Sequence, residues 1–419
     1  MRVRRVAAVV ALLLASSGLP ATANGPIRVL EAVVENRFPE QLAFRLRVKS
    51  DAAEIRQVQL VFARAGATSR TVMPVEVPTE QSVEAEFVWK TLQQSGVPPG
   101  APIIYHWSIV DAAGNRLQTP EQTVYCDDVR HAWRMKSAGL VTVLWYEGDD
   151  EFGQALLDAA VTAVERLAGE AGITLSLPVR VVVYADVETF QSAYLATKQW
   201  AGGLSHPEMG LTVQAIPPTR SEVIPEVIPH EISHLVFYQA THHAYSDPPA
   251  WLNEGLAVSS ELRSHEYEMS LVAQAARRGQ LHSLAALGGG FPPDPQEARL
   301  AYAESYAIVQ YIVETYGRAG LTALLDAFRQ GSSREEAIQT ALGVSPEELE
   351  AGWRAWAVAL DEASGETRSA RLRRPVRWLA LLLALACCGP SVPLVVASAV
   401  IVVLAVIRRG RSERPPEKV

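Results

Sequence analysis

Three patterns predict a multidomain chain: an all-β amino-terminal domain, an α+β domain after it, and one carboxy-terminal transmembrane helix. Short alternating apolar and polar stretches fill the region from Gly25 to about Asp128. From there to about Leu360 the apolar spacing lengthens to that of helices, interleaved with a few apolar strands. Beyond it, Trp378 to Ile407 is almost wholly apolar. These are the signatures of half-buried strands, amphipathic helices and a bilayer-spanning helix.

The chain starts with Arg2, Arg4 and Arg5, an apolar run from Val6 to Ala15, and the small-residue site Ala21-Thr22-Ala23. Basic, apolar and small segments in that order describe a secretory signal peptide over 1–23, cut after Ala23. Its apolar run is too short to span a bilayer comfortably. The all-β domain is expected over 24–128. Strands are expected at Leu42–Val48, Val58–Phe62, Val83–Trp89 and Ile103–Val110, with a hairpin turn at Asp111–Asn115. Strands at that spacing over about a hundred residues suggest an immunoglobulin- or fibronectin-like sandwich. Such modules commonly serve as spacers or adhesion surfaces.

After Cys126-Asp127-Asp128 the period changes. Strands are expected at Leu140–Trp145 and Val179–Tyr184, with an amphipathic helix from about Asp150 to Ala171 between them. A further strand is expected at Leu211–Ile216. The chemistry follows it: His230-Glu231-Ile232-Ser233-His234, then Glu254 within Trp251-Leu252-Asn253-Glu254-Gly255-Leu256-Ala257. Residues four apart on a helix share a face, so His230 and His234 can close on one zinc ion with Glu231 projecting beside it. The bare motif arises readily by chance. Glu254, on a predicted helix from Pro249 to Leu262 reached through the turn Ser246–Pro249, supplies the third protein ligand that leaves a fourth position open for water.

On these residues the chain resembles the gluzincin metallopeptidases, whose ligands are two His of such a motif and a Glu on the next helix. W-L-N-E-G-L-A looks like the third-ligand helix of alanyl and leucyl aminopeptidases. The segments Ala303-Glu304-Ser305-Tyr306 and Tyr311–Gly317 extend the likeness to the bacterial peptidase MA-like domain, over roughly 139–360. The resemblance implies an α+β zincin-like, thermolysin-like domain. It implies one Zn2+ held by His230, His234 and Glu254, with Glu231 as general base for a water that attacks a peptide bond. It also implies an edge strand, here Leu211–Ile216, that pairs with extended substrate. The oxyanion would be met by a tyrosine of a later helix, expected from Gln296 to Tyr316. Tyr302 and Tyr306 are the candidates, Tyr306 first because it follows Glu304-Ser305; aromatics at helical spacing are otherwise ordinary core. Aminopeptidases also carry a Gly-x-Met-Glu-Asn segment for the substrate amine, and this chain has none. That favours cleavage within a chain, or an unusual specificity.

Two departures stand out. Pro225 and Pro229 precede the first ligand, so the helix is expected to restart near Pro229, with the proline in its first turn. Val258 stands where some gluzincins place an Asp that orients the first His, leaving Glu261, Glu304 or a backbone carbonyl to do so. His242 and His243 read as surface residues of a polar turn. His206 could lie near the cleft. The glycine-rich breaks at Gly288–Pro293 and Gly331–Ser333 read as connectors, with mobile lids as the alternative.

At the far end, a charged stalk over 361–377 leads to a span over 385–407 and a basic tail over 408–419. Basic residues flank both sides of the span, so the charge-bias rule is balanced. The exported amino terminus then places the catalytic domain outside the cytoplasmic membrane and the tail inside. Of three cysteines, Cys387 and Cys388 lie in or beside the span. Cys126 is thus alone outside it, and no intrachain disulfide is expected there. A formal charge of −8 with no basic block outside the tail argues against nucleic acid as a partner. The expected function is a membrane-anchored extracytoplasmic zinc metallopeptidase with polypeptide substrates. The alternatives are an inactive zinc-binding or adhesion ectodomain, or an assembly factor that grips extended chains.

Overall fold

Period-two burial builds the first domain of the computed structural model, which describes residues 25–90, 96–194 and 202–360. Its strands are β1 (Ile27–Arg37), β2 (Gln41–Ser50), β3 (Ile55–Arg64), β4 (Thr71–Val75), β5 (Ser82–Lys90), β6 (Pro102–Asp111), β7 (Arg116–Gln118) and β8 (Gln122–Tyr125). One sheet runs β1-β2-β5 and the other β4-β3-β6-β7, with β8 also paired to β6. All pairs are antiparallel. Leu42, Phe44, Leu46 and Val48 of β2 face Val58, Leu60 and Phe62 of β3 and Tyr105, Trp107 and Ile109 of β6 in one core. Every second residue goes inward, as a two-sheet sandwich requires.

The second domain begins with β9 (Arg134–Ala138) and β10 (Val141–Trp145), followed by α1 (Asp150–Ala171), β11 (Val179–Tyr184) and α2 (Val187–Ser192). The strands β12 (Gly203–His206) and β13 (Leu211–Ala215) complete a sheet of order β12-β13-β11-β10-β9. The central strands β10, β11 and β13 are parallel, and both edges are antiparallel. Asp149 caps α1 through the Phe152 N–H, and Gly172 ends it in the left-handed region.

The two faces of this sheet belong to different cores. Val141, Val143 and Trp145, with Val179, Val181 and Val183, pack among the helices. Leu144, Val182, Tyr184, Leu211 and Val213 pack into the sandwich core. A parallel sheet needs cover on both faces, and here the sandwich provides one of the covers. Two glycines record how close it comes. A Cβ on Gly100 (φ +81°) would lie 2.7 Å from Val182 Cγ2, and one on Gly66 (φ +76°) would lie 1.8 Å from the Glu208 carbonyl oxygen. The sandwich is thus docked against the second domain, a closer relation than that of a spacer module.

Helices complete the chain: α3 (Ile224–Thr241), α4 (Ala250–Ser260), α5 (Glu266–Arg277), α6 (Leu284–Gly288), α7 (Pro295–Arg329) and α8 (Arg334–Leu342), then a last helix from 346 to 360. α7 is interrupted at Gly317 (φ 72°, ψ 171°), one residue past the expected end at Tyr316. The expected break at Gly331–Ser333 is a short connector into the capping box of α8, where Ser333 and Glu336 bond reciprocally.

Two expectations are corrected. The strand at 211–215 is interior to the sheet; the edge beside it is β12, which turns back through a 3-10 turn at Pro207–Met209. The helix carrying the first His does not restart at Pro229. It begins at Ile224 with Pro225 in its first turn, and Pro229 lies inside. A proline there removes the donor that the Pro225 carbonyl would have received. Leu262 replaces it, its N–H bonding the Pro225 oxygen at 2.8 Å. The helix therefore stays continuous, and its first turn is tied to the chain just past α4.

Cys126 is a buried free thiol, pushed up to about 12 by burial and then by the charge of Asp127. Among the described residues no helix is long and apolar enough to cross a membrane. The expected signal peptide 1–23, stalk 361–377, span 385–407, tail 408–419 and the pair Cys387 and Cys388 lie outside the described residues.

Candidate metal centre

α3 and α4 pack against each other and against α7, and the ligand set forms where they meet. Gly255 permits the approach: a Cβ there would lie 2.3 Å from the Ser305 carbonyl oxygen. His230 and His234 stand one turn apart on α3, with ring centroids 5.0 Å apart. Glu254 of α4 brings Oε2 to 3.6 Å from His230 Nε2 and 3.8 Å from His234 Nε2. One ligand atom from each of the three lies within 4.8 Å of the others. The structure thus brings together all three residues expected from the sequence to hold a metal.

Each imidazole is fixed from behind. His230 Nδ1 lies 2.9 Å from Glu261 Oε1, and His234 Nδ1 lies 2.9 Å from Asn253 Oδ1. Since both partners accept, each Nδ1 carries a proton and each Nε2 is turned toward Glu254. Glu254 Oε2 is buried with no hydrogen-bond partner. A buried, unpartnered carboxylate oxygen facing two imidazole nitrogens is a donor set that could hold a cation. The titration tendencies agree. Burial opposes charge on both groups, yet Glu254 and Glu261 push His230 up to about 10. The imidazoles in turn hold the Glu254 carboxyl below its ordinary range. The cluster favours a positive charge at its centre.

Of the three expected orienters of His230, it is Glu261 that bonds it. Glu261 is buried, and its other oxygen meets Arg263 at 2.7 Å. Arg263 also bonds Glu268 at 2.9 Å. Glu304 serves elsewhere, accepting from the His282 backbone N–H at 2.9 Å and lying 2.6 Å from its Nδ1. Glu261→Ala should weaken metal binding about tenfold to a hundredfold, as loss of a ligand's hydrogen-bond partner typically does. Competition titration against a chelator measures this, and an unchanged affinity would deny Glu261 its orienting role.

Glu231 lines the cleft beside the ligands, one oxygen accepting from Ser205 Oγ at 2.5 Å. The cleft has a volume of about 660 Å³, and its far wall includes Arg263, Tyr267, Arg299 and Tyr302. The two tyrosines separate. Tyr302 faces the site, its ring 6.3 Å from that of His230 and edge-on to Phe291 at 4.7 Å. Burial, then the charges of Glu254 and Glu231, push its hydroxyl up to about 12. Tyr306, the first choice from the sequence, lies instead over His265 at 4.5 Å and does not line the cleft. The other histidines weighed from the sequence do not line the cleft. His206 stacks on Tyr194, His242 on Tyr238, and His243 lies against Tyr245.

Sequence reasoning missed Asn253, Ser205 and Arg263. Asn253 had a signal, since it directly precedes a ligand on the same short helix. Ser205 had none, because its role depends on a strand pairing that its own four-residue segment does not announce.

Residues 159–359 match the family model of the Peptidase MA superfamily, a stretch that contains α3, α4 and α7 with every residue of the centre. That stretch is similar to a peptidase MA-like domain. No curated protein matches the chain. Among solved structures, a purple acid phosphatase from yellow lupin (Lupinus luteus) seeds aligns at 7% identity and a TM-score of 0.21, covering 46% of this chain and 35% of that one. A polysaccharide deacetylase from Bacillus cereus aligns at 10% identity and 0.18, and a putative one from Bacillus anthracis at 9% and 0.18. For both, the alignment covers 42% of this chain and 57% of the other. The chain thus spans well under two thirds of each of these structures.

Proposed function

We propose that the peptidase MA-like domain is a zinc endopeptidase acting outside the cytoplasmic membrane and anchored by the apolar segment over 385–407. One observation carries the catalytic reading: His230, His234 and Glu254 converge on one point with Glu231 beside them on the wall of an open cleft. The donor atoms, with Nε2–Oε2 separations of 3.6 and 3.8 Å and all three within 4.8 Å of one another, would hold one zinc ion. Two imidazoles and one carboxylate are also the donor set that leaves zinc an open position.

Zinc bound here would acidify a water molecule and polarise the scissile carbonyl. The chain's own residues do the rest. Glu231, which is not a ligand, takes a proton from the attacking water and delivers it to the departing amine. Tyr302 donates its hydroxyl to the oxygen that gains charge. The outer edge of β12 binds substrate as an added strand, since among the described residues only β13 pairs with it. The anchor and orientation rest on the basic and apolar pattern of the two ends.

The full chain in detergent micelles, assayed with casein, tests this reading. It should carry about one zinc, lose cleavage and some thermal stability on chelation, and recover both with added zinc. An unmutated chain that binds no metal would sink the proposal. Protease accessibility of the domain in intact cells tests the orientation, and full protection overturns it.

A further inference from the structure

We infer that Ser205 is a positioning residue for Glu231, through a hydroxyl chain that ties the general base to the substrate-binding edge; this rests on the peptidase reading above. β13 reads Leu211-Thr212-Val213-Gln214, and its apolar residues face the sandwich. Thr212 and Gln214 therefore face the other way, toward α3. Both are buried, Thr212 completely. Polar groups there must be satisfied internally.

They are satisfied in sequence. Gln214 Nε2 donates to Thr212 Oγ1 at 2.8 Å. Thr212 Oγ1 lies 2.9 Å from Ser205 Oγ, and Ser205 Oγ lies 2.5 Å from Glu231 Oε2. The direction follows from proton count. Ser205 Oγ is placed to donate to Thr212 Oγ1 and to Glu231 Oε2, and the charged carboxylate, which only accepts, is the stronger claimant for its single proton. Gly203 makes room at the far end: a Cβ on it would lie 1.7 Å from Gln214 Oε1. The chain ends on one oxygen of Glu231 and leaves the other for water.

The backbone of Ser205 faces the opposite task. β12 pairs with β13 in the register Gly203↔Gln214 and Ser205↔Thr212. The Ala215 N–H bonds the Gly202 oxygen at 2.7 Å, so residues 202, 204 and 206 direct their main-chain groups inward. In an antiparallel pair the alternate residues point outward. Among the described residues, the main-chain groups of β12 without a strand partner are consequently those of Gly203 and Ser205. Ser205 would meet the substrate with its backbone and hold Glu231 with its side chain, so docking and base alignment share one residue.

The test uses the full chain in micelles, with quenched-fluorescent casein as substrate. Ser205→Ala should keep its zinc and its melting temperature while kcat falls about tenfold and KM stays within about twofold, since only the orientation of the base is lost. Ser205→Thr, which restores the hydroxyl on a strand-favouring side chain, should recover most of kcat. Thr212→Val should lower kcat in the same way by a smaller factor. An unchanged kcat in Ser205→Ala overturns the inference, as does a Thr variant no better than Ala. Loss of zinc or of fold in Ser205→Ala overturns it too, by making Ser205 a structural support. If the unmutated chain cleaves nothing, the peptidase reading itself fails and this inference falls with it.

Discussion

Glu231→Gln should leave the metal in place and lower kcat by about a hundredfold to ten-thousandfold, the range that a positioned general base contributes. The substitution keeps the shape of the side chain. Its amide oxygen can still accept from Ser205, as the carboxylate does at 2.5 Å. Neither His230 nor His234 depends on Glu231 for its orientation, because Glu261 and Asn253 hold their Nδ1 atoms. Metal affinity should therefore be unchanged, while the group that takes and returns the proton is gone. Zinc content and casein turnover on the same preparation separate the outcomes. Turnover within a few-fold of the unmutated chain would remove Glu231 from the mechanism, and loss of zinc would recast it as structural.

The metal centre was legible because a helix converts spacing into geometry. His230 and His234 at i and i+4, and Glu254 on the following helix, could be placed from sequence alone, and they converge as expected. The same holds for α1 and for β10 and β11, whose periods are long or strong enough to stand by themselves. β12 was not legible. Four residues reading Gly-Leu-Ser-His carry no alternation, and the strand exists only through pairing with β13. Two other features depend on contacts distant in sequence. Pro229 is accommodated by the Leu262 N–H, and the orienter of His230 is Glu261, thirty-one residues away. Periodicity says where a side chain points along its own element, but not which neighbour waits there. The docking of the sandwich was hidden for that reason too: apolar residues on both faces of β10 and β11 announce burial without naming the partner.

The tyrosines show the same limit at finer grain, and they set the second large effect. Tyr302 and Tyr306 differ on an ideal helix by about 6 Å along the axis and about 40° around it. Spacing alone could not choose between them. In the structure His265 takes the ring of Tyr306, while Tyr302 packs between Phe291 and His230 at the cleft. Tyr302→Phe keeps both ring contacts and removes one hydroxyl. It should lower kcat by about a hundredfold to a thousandfold with KM little changed, the cost of losing one donor to a developing oxyanion. Tyr306→Phe should stay within about twofold of the unmutated chain, since its hydroxyl is remote from the reacting atoms. The pH profile adds a check of sign. Burial and the neighbouring carboxylates push the Tyr302 hydroxyl up to about 12, so it remains a neutral donor and is lost only as pH rises through that value. Tyr302→Phe should therefore lower kcat by the same factor at every pH from about 6 to about 10, without moving either limb. A Phe variant with unimpaired turnover, or a defect larger in Tyr306→Phe, would return the oxyanion role to Tyr306 or to the metal alone.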